Sequence, residues 1–421
     1  IPLDHLRLEK GTSLKLGTFK YGDISLTDTP IYLVGDVNKS KDNWEFDGGL
    51  RSDRLSLMQQ SQTFRVKDIA AHLTIDAEAL TINGGFSPDP LPGKFDFSIR
   101  HSLNTASGQL RVRQKDPVDL TADNDKLSQL LTPWPYPFDL LTGSISLESD
   151  ASWSKNKSFS LSVEMKLDEG GGHIDELLFS GLSFEHRLLI LPVLSSTQPG
   201  EVRLAHIDSG VDVDNIGMDL AIHSPGTDAR PELVVTNLHG EILNGSFGSD
   251  RLIYDLNRSN NAFRITATDI DLAEIVKTQQ LNDIEVTGKI SGSIPVEINK
   301  KGLSIKNGSF INSIKNGTIR YDPATGTEQL KQNPLTGVAL EALKDFRYTY
   351  LSAGVNFDPD GTLAVNLQLK GVSPELDTDR PVHLNINTEQ DLLSLLKSLR
   401  YAQGISEKID SRVRRQYEKT H

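Results

Sequence analysis

The stretch IEVTGKISGSIPVEI, residues 284–298, alternates between two kinds of side chain. Every even-numbered position holds Ile, Val or Gly, and no odd-numbered position holds an aliphatic side chain. Successive side chains of a β-strand point to opposite faces, so the stretch predicts a strand with one apolar face. As a single strand it would extend roughly 50 Å, against about 17–20 Å for an ordinary strand.

The same alternation recurs in two neighbouring segments. In 141–153 the apolar residues fall at odd positions, and after the polar run SKNKS they continue at odd positions through 159–167. Two such runs joined by about five residues predict a β-hairpin whose strands share an apolar face. Tight hairpin turns need positive φ angles. Asn-Gly pairs, which supply them, occur at 83–84, 244–245, 307–308 and 316–317.

Helical patterns are short, and most of the chain has the period of a strand. Helices are favoured at 123–131, 271–276 and 337–346. Near the C-terminus, Thr388 can cap a helix that begins at Glu389, and a second amphipathic stretch follows at 405–417. We therefore predict a mainly β fold: an elongated, curled antiparallel sheet that forms an open hydrophobic groove, with short helices and a helical C-terminus.

The composition excludes several classes of protein. A net charge of −13 over 421 residues argues against a nucleic-acid partner, because such proteins carry a basic surface. The chain has no Cys, which excludes disulfides, thiolate metal sites and Cys nucleophiles. Its ten His residues are scattered singly, and no nucleotide-binding, hydrolase or zinc motif occurs. We predict no enzyme activity, no metal site and no cofactor.

The apolar faces can be used in two ways. In a closed sandwich or barrel they would fill one another. An open groove is favoured by the length of the runs, by glycines that leave room or permit bending, and by Pro295, which fits an edge strand or a bulge. These groove glycines are Gly143, Gly288 and Gly292.

An open apolar groove would bind apolar molecules through burial of their surface alone. An acyl chain in it would gain ~10 kcal/mol gross at roughly 0.8 kcal/mol per CH₂. The predicted lipid-groove residues are Ile145, Leu147, Leu161, Val163, Val286, Ile290, Ile294, Val296, Ile298, Val365 and Leu367. Asp at Ile290 or Ile294 should then block lipid passage while the fold survives. The alternatives are a structural or adhesive β-scaffold that binds protein partners by edge-strand addition without lipid, and, third, an enzyme acting on envelope glycans.

The last third of the chain resembles a known family. The motifs ALKDFRY, DPDG and LLKSLR follow one another at 342–348, 358–361 and 395–400. Together with the alternating stretch at 286–298, they resemble the C-terminal part of the YdbH family, AsmA-like proteins of the Gram-negative envelope related to TamB and YhdP. On this basis we divide the chain into 1–283 and 284–387, two parts of the groove, and a helical segment at 388–421.

The resemblance implies a periplasmic bridge that carries phospholipid between the inner and outer membranes. Since the chain begins IPLDHL, without Met, we expect it to be a portion of a longer protein whose N-terminal anchor in the inner membrane lies outside it. The family also implies a YnbE-like outer-membrane lipoprotein as partner at the C-terminal end. That partner would add a strand to the edge carrying Val382, Leu384 and Ile386.

Overall fold

The structure is a computed structural model. It describes residues 5–10, 12–16, 19–21, 24–26, 29–40, 43–59, 62–89, 92–121, 126–130, 137–155, 157–175, 177–226, 230–279, 283–321 and 334–399.

The strands, numbered in chain order, are β1 His5–Leu8, β2 Ser13–Leu16, β3 Phe19–Tyr21, β4 Ile24–Leu26, β5 Thr29–Ser40, β6 Asn43–Gln59, β7 Gln62–Ile75, β8 Ala79–Asp89, β9 Phe95–Ser102, β10 Ser107–Gln114, β11 Val118–Leu120, β12 Phe138–Ser154, β13 Lys157–Ile174, β14 Leu177–Leu191, β15 Ser195–Ser196, β16 Gly200–Asp208, β17 Asp212–His223, β18 Glu232–Ile242, β19 Gly245–Asp255, β20 Asn260–Asp271, β21 Ile284–Val286, β22 Lys289–Asn299, β23 Gly302–Asn312, β24 Gly317–Tyr321, β25 Phe346–Phe357, β26 Thr362–Ser373 and β27 Asp377–Asp391. The helices are α1 Leu127–Leu130, α2 Leu272–Thr278 and α3 Pro334–Leu343, and residues 392–399 form a further helix.

The chain divides into two compact units that interleave along the sequence. Unit 1 comprises Ile1–Asp175, Gly181–Glu201 and Ala221–Pro231, and unit 2 comprises Glu176–Ser180, Val202–Leu220 and Glu232–His421. Strands make up 74% of the structure, and in each unit they form an antiparallel sheet that is open. The predicted fold class, mainly β with an open antiparallel sheet and a few short helices, is confirmed. The division at 283 and 387 stays a prediction.

Most neighbouring strands are also neighbours in sequence. In unit 1 the central order is β5-β6-β7-β8-β9-β10-β12-β13, and β12 and β13 form the predicted hairpin. In unit 2 it is β18-β19-β20-β22-β23-β25-β26-β27. The short strand β24 pairs with both β21 and β25. Such hairpin connectivity is why alternation with period two can be recognised strand by strand.

The stretch 284–298 does not form the single long strand that its alternation predicts. It forms β21 and β22, which are separated by Thr287 and Gly288. Gly288 has a φ of 122°, which only glycine adopts readily. The Tyr348 hydroxyl holds the break in place by donating to the carbonyl oxygen of Thr287 at 2.7 Å. The alternation of apolar and polar residues continues through this break, so the sequence pattern does not show where the strand is interrupted.

Pro295 lies inside the sheet. Its strand, β22, is paired with β20 on one side and β23 on the other, so of the two positions suggested for this proline, an edge strand or a bulge, the edge is excluded. The pairing with β23 shifts register between Ser293 and Val296, which places Pro295 at a bulge, the other position that a strand proline tolerates.

A bulge in β23 depends on Asn307. This residue has a φ of 59°, and its backbone N–H donates to the Asn356 side chain at 2.8 Å. Asn307→Val should lower the free energy of unfolding by about 1–2 kcal/mol, because a β-branched side chain is strained in the left-handed region. The matched change Asn307→Gly should lower the free energy of unfolding by no more than a few tenths of a kcal/mol. Denaturant unfolding of the two variants measures both losses, and equal losses would contradict the argument.

The predicted start of the last helix is wrong. Strand β27 continues to Asp391, and the helix occupies 392–399. Asp391 caps it by accepting hydrogen bonds from the side chain and backbone of Ser394 at 2.6 and 2.9 Å, and these bonds lower the pKa of its carboxyl. Thr388 and its neighbours pair with β26 instead, which overrides the weaker capping signal. The predicted helix at 405–417 lies outside the described residues.

Helix 392–399 joins two distant turns of unit 2. The backbone N–H of Leu392 donates to the carbonyl oxygen of Gly361 at 2.9 Å, in the turn between β25 and β26. At its other end, Leu396 lies so close to Gly210, in the turn between β16 and β17, that a Cβ on Gly210 would approach the Leu396 carbonyl oxygen to 2.5 Å. Leu399 is buried. The helix is therefore packed against the body of the unit.

Candidate lipid groove

A row of apolar residues crosses the sheet of unit 2 from strand to strand. Successive cross-strand partners are Ala267, Gly292, Phe310, Ala353, Leu367 and Ile386. Strands lie about 4.8 Å apart, so these six strands carry an apolar row roughly 24 Å long. On β20, β26 and β27 the residues on either side of the row, such as Thr266, Asn366 and Gln368, are exposed, and on β22 and β25 they are half-buried. The sheet therefore has one apolar face and one polar face.

Part of this face is a packed core. Nine buried residues form one cluster: Ala267, Ile270, Ile290, Ile319, Phe346, Tyr348, Leu351, Leu369 and Leu384. Leu272 and Ile275 of α2 and Ala339 and Leu343 of α3 pack against it. Among the predicted groove and edge residues, Val286, Ile294, Leu367, Val382 and Ile386 also pack against the cluster, which already includes Ile290 and Leu384.

Burial separates the predicted groove residues into two groups. Ile290 and Val296 are 7% and 4% exposed, so they are packed on all sides. Ile294, Ile298 and Val365 are only half-buried. This burial argues against the prediction that Asp at Ile290 leaves the fold intact, because a charge there has no access to water. The half-buried residues mark the part of the face that a ligand could cover.

Unit 1 has a comparable face. Its most regular row runs through Leu73, Ile82, Ile99, Leu110, Ala151 and Leu161 on β7, β8, β9, β10, β12 and β13. The other predicted groove residues of the unit lie beside this row: Ile145 and Leu147 face Leu167 and Met165 across the hairpin, and Val163 faces Ser149. All four predicted residues of this unit are half-buried.

The glycines do not leave the empty room that the sequence suggested. A Cβ on Gly292 would meet the ring of Phe310 at 2.6 Å, and one on Gly288 would meet the Tyr348 hydroxyl at 2.0 Å. An aromatic side chain thus occupies the space above each of these glycines. Gly143 serves the other predicted purpose, bending: it has a φ of 126° within an irregular part of β12.

The residues predicted as a partner edge lie on β27. In the described part of the chain, β27 pairs with β26 and with no other strand. Val382, Leu384 and Ile386 point to the apolar face, whereas His383 and Asn385 between them are exposed. An edge strand of this kind presents unpaired backbone groups that another strand can use.

Several residues of the apolar faces were not predicted from the sequence. Phe263 lies opposite Val296, and Ile305 lies opposite the same residue on the other side. Phe310 and Val355 extend the face over β23 and β25. Each lies in a shorter alternating run, and only the register between strands, which one sequence does not contain, brings them beside the predicted positions.

Charged residues pair on the polar face of unit 1. Arg111 Nε lies 3.0 Å from Asp150 Oδ1, and Arg187 Nη2 lies 2.6 Å from Asp150 Oδ2. Arg113 and Glu148, two cross-strand pairs further along, are 3.3 Å apart. These pairs are largely exposed, so each contributes on the order of 0–1 kcal/mol. They keep the charge away from the apolar rows.

The phenol of Tyr348 makes stability sensitive to high pH. Burial, reinforced by the charge of Asp271, raises its pKa from 10.0 to about 12. Between these two values the unfolded chain loses this proton and the folded chain keeps it, so the free energy of unfolding should fall as the pH rises. Stability measured from neutral pH to about pH 12 should therefore decline more steeply in the wild type than in Tyr348→Phe. Parallel curves would contradict this assignment.

The described residues contain no group of His, Asp and Glu side chains arranged to hold a metal ion. In the same part of the chain, no helix is long and apolar enough to cross a membrane.

Comparison with known proteins places the chain in a family. The YdbH-like family model, described as intermembrane phospholipid transport protein YdbH, matches residues 4–414, so the similarity extends well beyond the last third of the sequence. The probable phospholipid transport protein YdbH of Escherichia coli K12 is 22% identical over 366 residues, which cover 81% of this chain and 40% of that protein. The chain thus spans less than half the length of this relative. No solved structure matches it significantly. The chain belongs to the YdbH-like family of intermembrane phospholipid transport proteins.

Proposed function

We propose that the apolar faces of the two units bind the acyl chains of phospholipids and let them slide along the sheet. The observation that carries this proposal is that rows of buried and half-buried apolar side chains cross several strands in each unit, with mostly polar side chains on the opposite face. Such a surface is unfavourable in water and needs an apolar occupant.

The proposed mechanism involves no chemical step. A chain of about 14 CH₂ groups buried on the face would gain ~10 kcal/mol gross, and the loss of its freedom reduces that gain. Aliphatic side chains make no directional bonds, so successive positions along a row have similar free energies. A lipid can therefore move between them without a large barrier, which suits transport.

The lipid itself can be detected by photocrosslinking. A photoreactive amino acid at Val365, on the apolar face, should capture phospholipid in cells. The matched position is Gln368, three residues along β26 on the exposed polar face, which should capture little. Mass spectrometry of the organic extract of the purified chain gives an independent measure. An empty extract together with equal capture at both positions would favour the lipid-free scaffold.

Val365→Asp should remove bound phospholipid and keep the fold. The side chain is half-buried, so its charge can stay in contact with water and the loss of stability should be about 1–2 kcal/mol. Lipid bound per chain, measured in the extract, should fall severalfold, because a carboxylate on the face would have to be desolvated by an acyl chain. Gln368→Asp places the same charge on the polar face and should leave lipid content unchanged.

We further propose that the chain acts as part of a longer periplasmic bridge between the inner and outer membranes of a Gram-negative envelope. Support comes from the family description and from the relative, of which the chain spans 40%. An N-terminal anchor in the inner membrane and a YnbE-like lipoprotein in the outer membrane complete this proposal. The lipoprotein would add a strand to the edge of β27 that pairs with no described strand.

The edge pairing can be tested by crosslinking, because the chain has no Cys of its own. A Cys at Asn385 on β27 should form a disulfide with one register of Cys positions in the lipoprotein. A Cys at Asn83, on β8 between two partner strands, is the matched control. Crosslinks that occur equally from both positions, or from neither, would remove the edge from the proposal.

A further inference from the structure

A cavity of about 960 Å³ opens in unit 2 beside the apolar cluster. Its walls come from the turn at Gly210, the turn between β18 and β19, the ends of β20 and α2, the start of β22, and Leu399 of helix 392–399. This volume is at the upper end of the range for small-molecule sites, about 300–1,000 Å³. The predicted groove residues do not line it.

The cavity adjoins the proposed path of the acyl chains. Ile242 and Leu243 line the cavity, and the same two residues pack against the apolar cluster. Lys289 and Glu241 alternate along their strands with Ile290 and Ile242, so they project from the opposite face of the sheet. A lipid whose tail lies on the apolar face would therefore reach them around the turn between β18 and β19, whose residues line the cavity.

The polar lining carries both signs of charge. Lys277 pairs with Glu274 at 3.3 Å, and Asn215 donates to Glu241 at 3.1 Å. Lys289 is half-buried and, within the described residues, forms no ion pair. Its cross-strand neighbour Asp271 accepts a hydrogen bond from the backbone N–H of Ala273 at 2.9 Å instead. An ammonium group in such a position favours an anionic ligand group.

Carboxylates predominate around this lysine. The lining contains two lysines against five acidic residues: Asp212, Asp214, Glu241, Asp269 and Glu274. A ligand with only negative charge would gain from Lys289 and be repelled by the carboxylates. A ligand carrying a phosphate and an ammonium group on one short linker would satisfy both signs.

We propose that this cavity is the headgroup site for a zwitterionic phospholipid of the phosphoethanolamine class. The phosphate lies at Lys289, and the ammonium group lies among Glu241 and Asp269. This inference rests on the proposed function, since the tail of the same lipid occupies the apolar face. It adds a preference: zwitterionic lipids bind better than anionic phosphatidylglycerol, which has no cation to offer the carboxylates.

The preference can be measured on the purified chain. The ratio of phosphatidylethanolamine to phosphatidylglycerol in its lipid extract should exceed that of the host membranes by roughly threefold, or about 0.65 kcal/mol, which is within the range of an exposed charge pair. The double variant Glu241→Gln, Asp269→Asn should bring the ratio close to the membrane value. Asn is chosen because residue 269 has a φ of 55°, which Asn tolerates.

A matched control separates the effect of the cavity carboxylates from the effect of a change in total charge. Asp250→Asn with Glu375→Gln also removes two carboxylates, both exposed and outside the cavity lining, and should leave the ratio unchanged. Lys289→Gln should lower the amount of bound lipid of both classes. A wild-type extract that contains phospholipid in the host ratio, or a control that shifts the ratio as much as the cavity variant, would overturn the headgroup site and leave the proposed function standing. An extract without phospholipid would overturn both.

Discussion

Ile290→Asp should unfold unit 2 or lower its free energy of unfolding by more than about 4 kcal/mol. The change removes a side chain that is 7% exposed in the centre of the apolar cluster, which costs about 2–5 kcal/mol by itself. It also places a carboxylate where no described cation lies within the cluster, so the charge must be desolvated or protonated. Domains are stable by only about 5–15 kcal/mol, so the loss is a large fraction of the total.

Thermal unfolding provides the measurement. A loss of about 4 kcal/mol corresponds to a fall in the melting temperature of roughly 8–16 °C for a unit of this size. Gln368→Asp introduces the same group on the exposed face and should stay within about 1 kcal/mol of the wild type. If Ile290→Asp were as stable as that control, position 290 would be open to water, and the whole face would have to be treated as groove.

Tyr348→Ala should cost about 3–5 kcal/mol, as expected for removing a large buried aromatic side chain. Tyr348 is 1% exposed and stands against two glycines: a Cβ on Gly288 or on Gly317 would approach its hydroxyl to 2.0 or 2.1 Å. No neighbouring side chain at these two positions can move into the cavity that the ring leaves. The break between β21 and β22 would also lose its hydrogen bond to the carbonyl oxygen of Thr287.

Tyr348→Phe separates the two contributions. It keeps the ring and removes the hydroxyl, so the expected loss is about 1–2 kcal/mol, for one hydrogen bond and one unsatisfied carbonyl group. Denaturant midpoints with unchanged slopes give both values. Equal losses for Ala and Phe would show that the hydroxyl alone holds this part of unit 2.

The alternation of the sequence predicted the class of fold because each strand of an open antiparallel sheet has one apolar and one polar face. It could not predict where a strand ends within a continuous pattern. Gly288 falls on the apolar positions of 284–298, yet it separates β21 from β22. Asn-Gly pairs show the same limit: Asn244 and Gly245 lie at a hairpin turn, whereas Asn307 and Gly308 lie at a bulge inside β23. Positive φ serves both geometries, and the partner strand determines which one forms.

The sequence predicted which residues lie on the apolar faces, but it did not predict how deeply each of them is buried. Ile290, Ile294 and Val365 all follow the same alternation, but only Ile290 is fully buried. Ile290 belongs to the cluster against which α2 and α3 pack, and that packing brings together residues far apart in sequence. The charged cavity was not predicted at all, because its walls come from six separate stretches of unit 2.

Helix 392–399 is made after all the strands it touches. It ties the turn at Gly210 to the turn at Gly361, and neither contact can form until the ribosome has added the residues beyond β27. Contacts over such separations form late because they require closure of a long loop. Until residues 392–399 have been added, the turns at Gly210 and Gly361 therefore lack this connection, and unit 2 is an incomplete folding intermediate of the kind that chaperones bind.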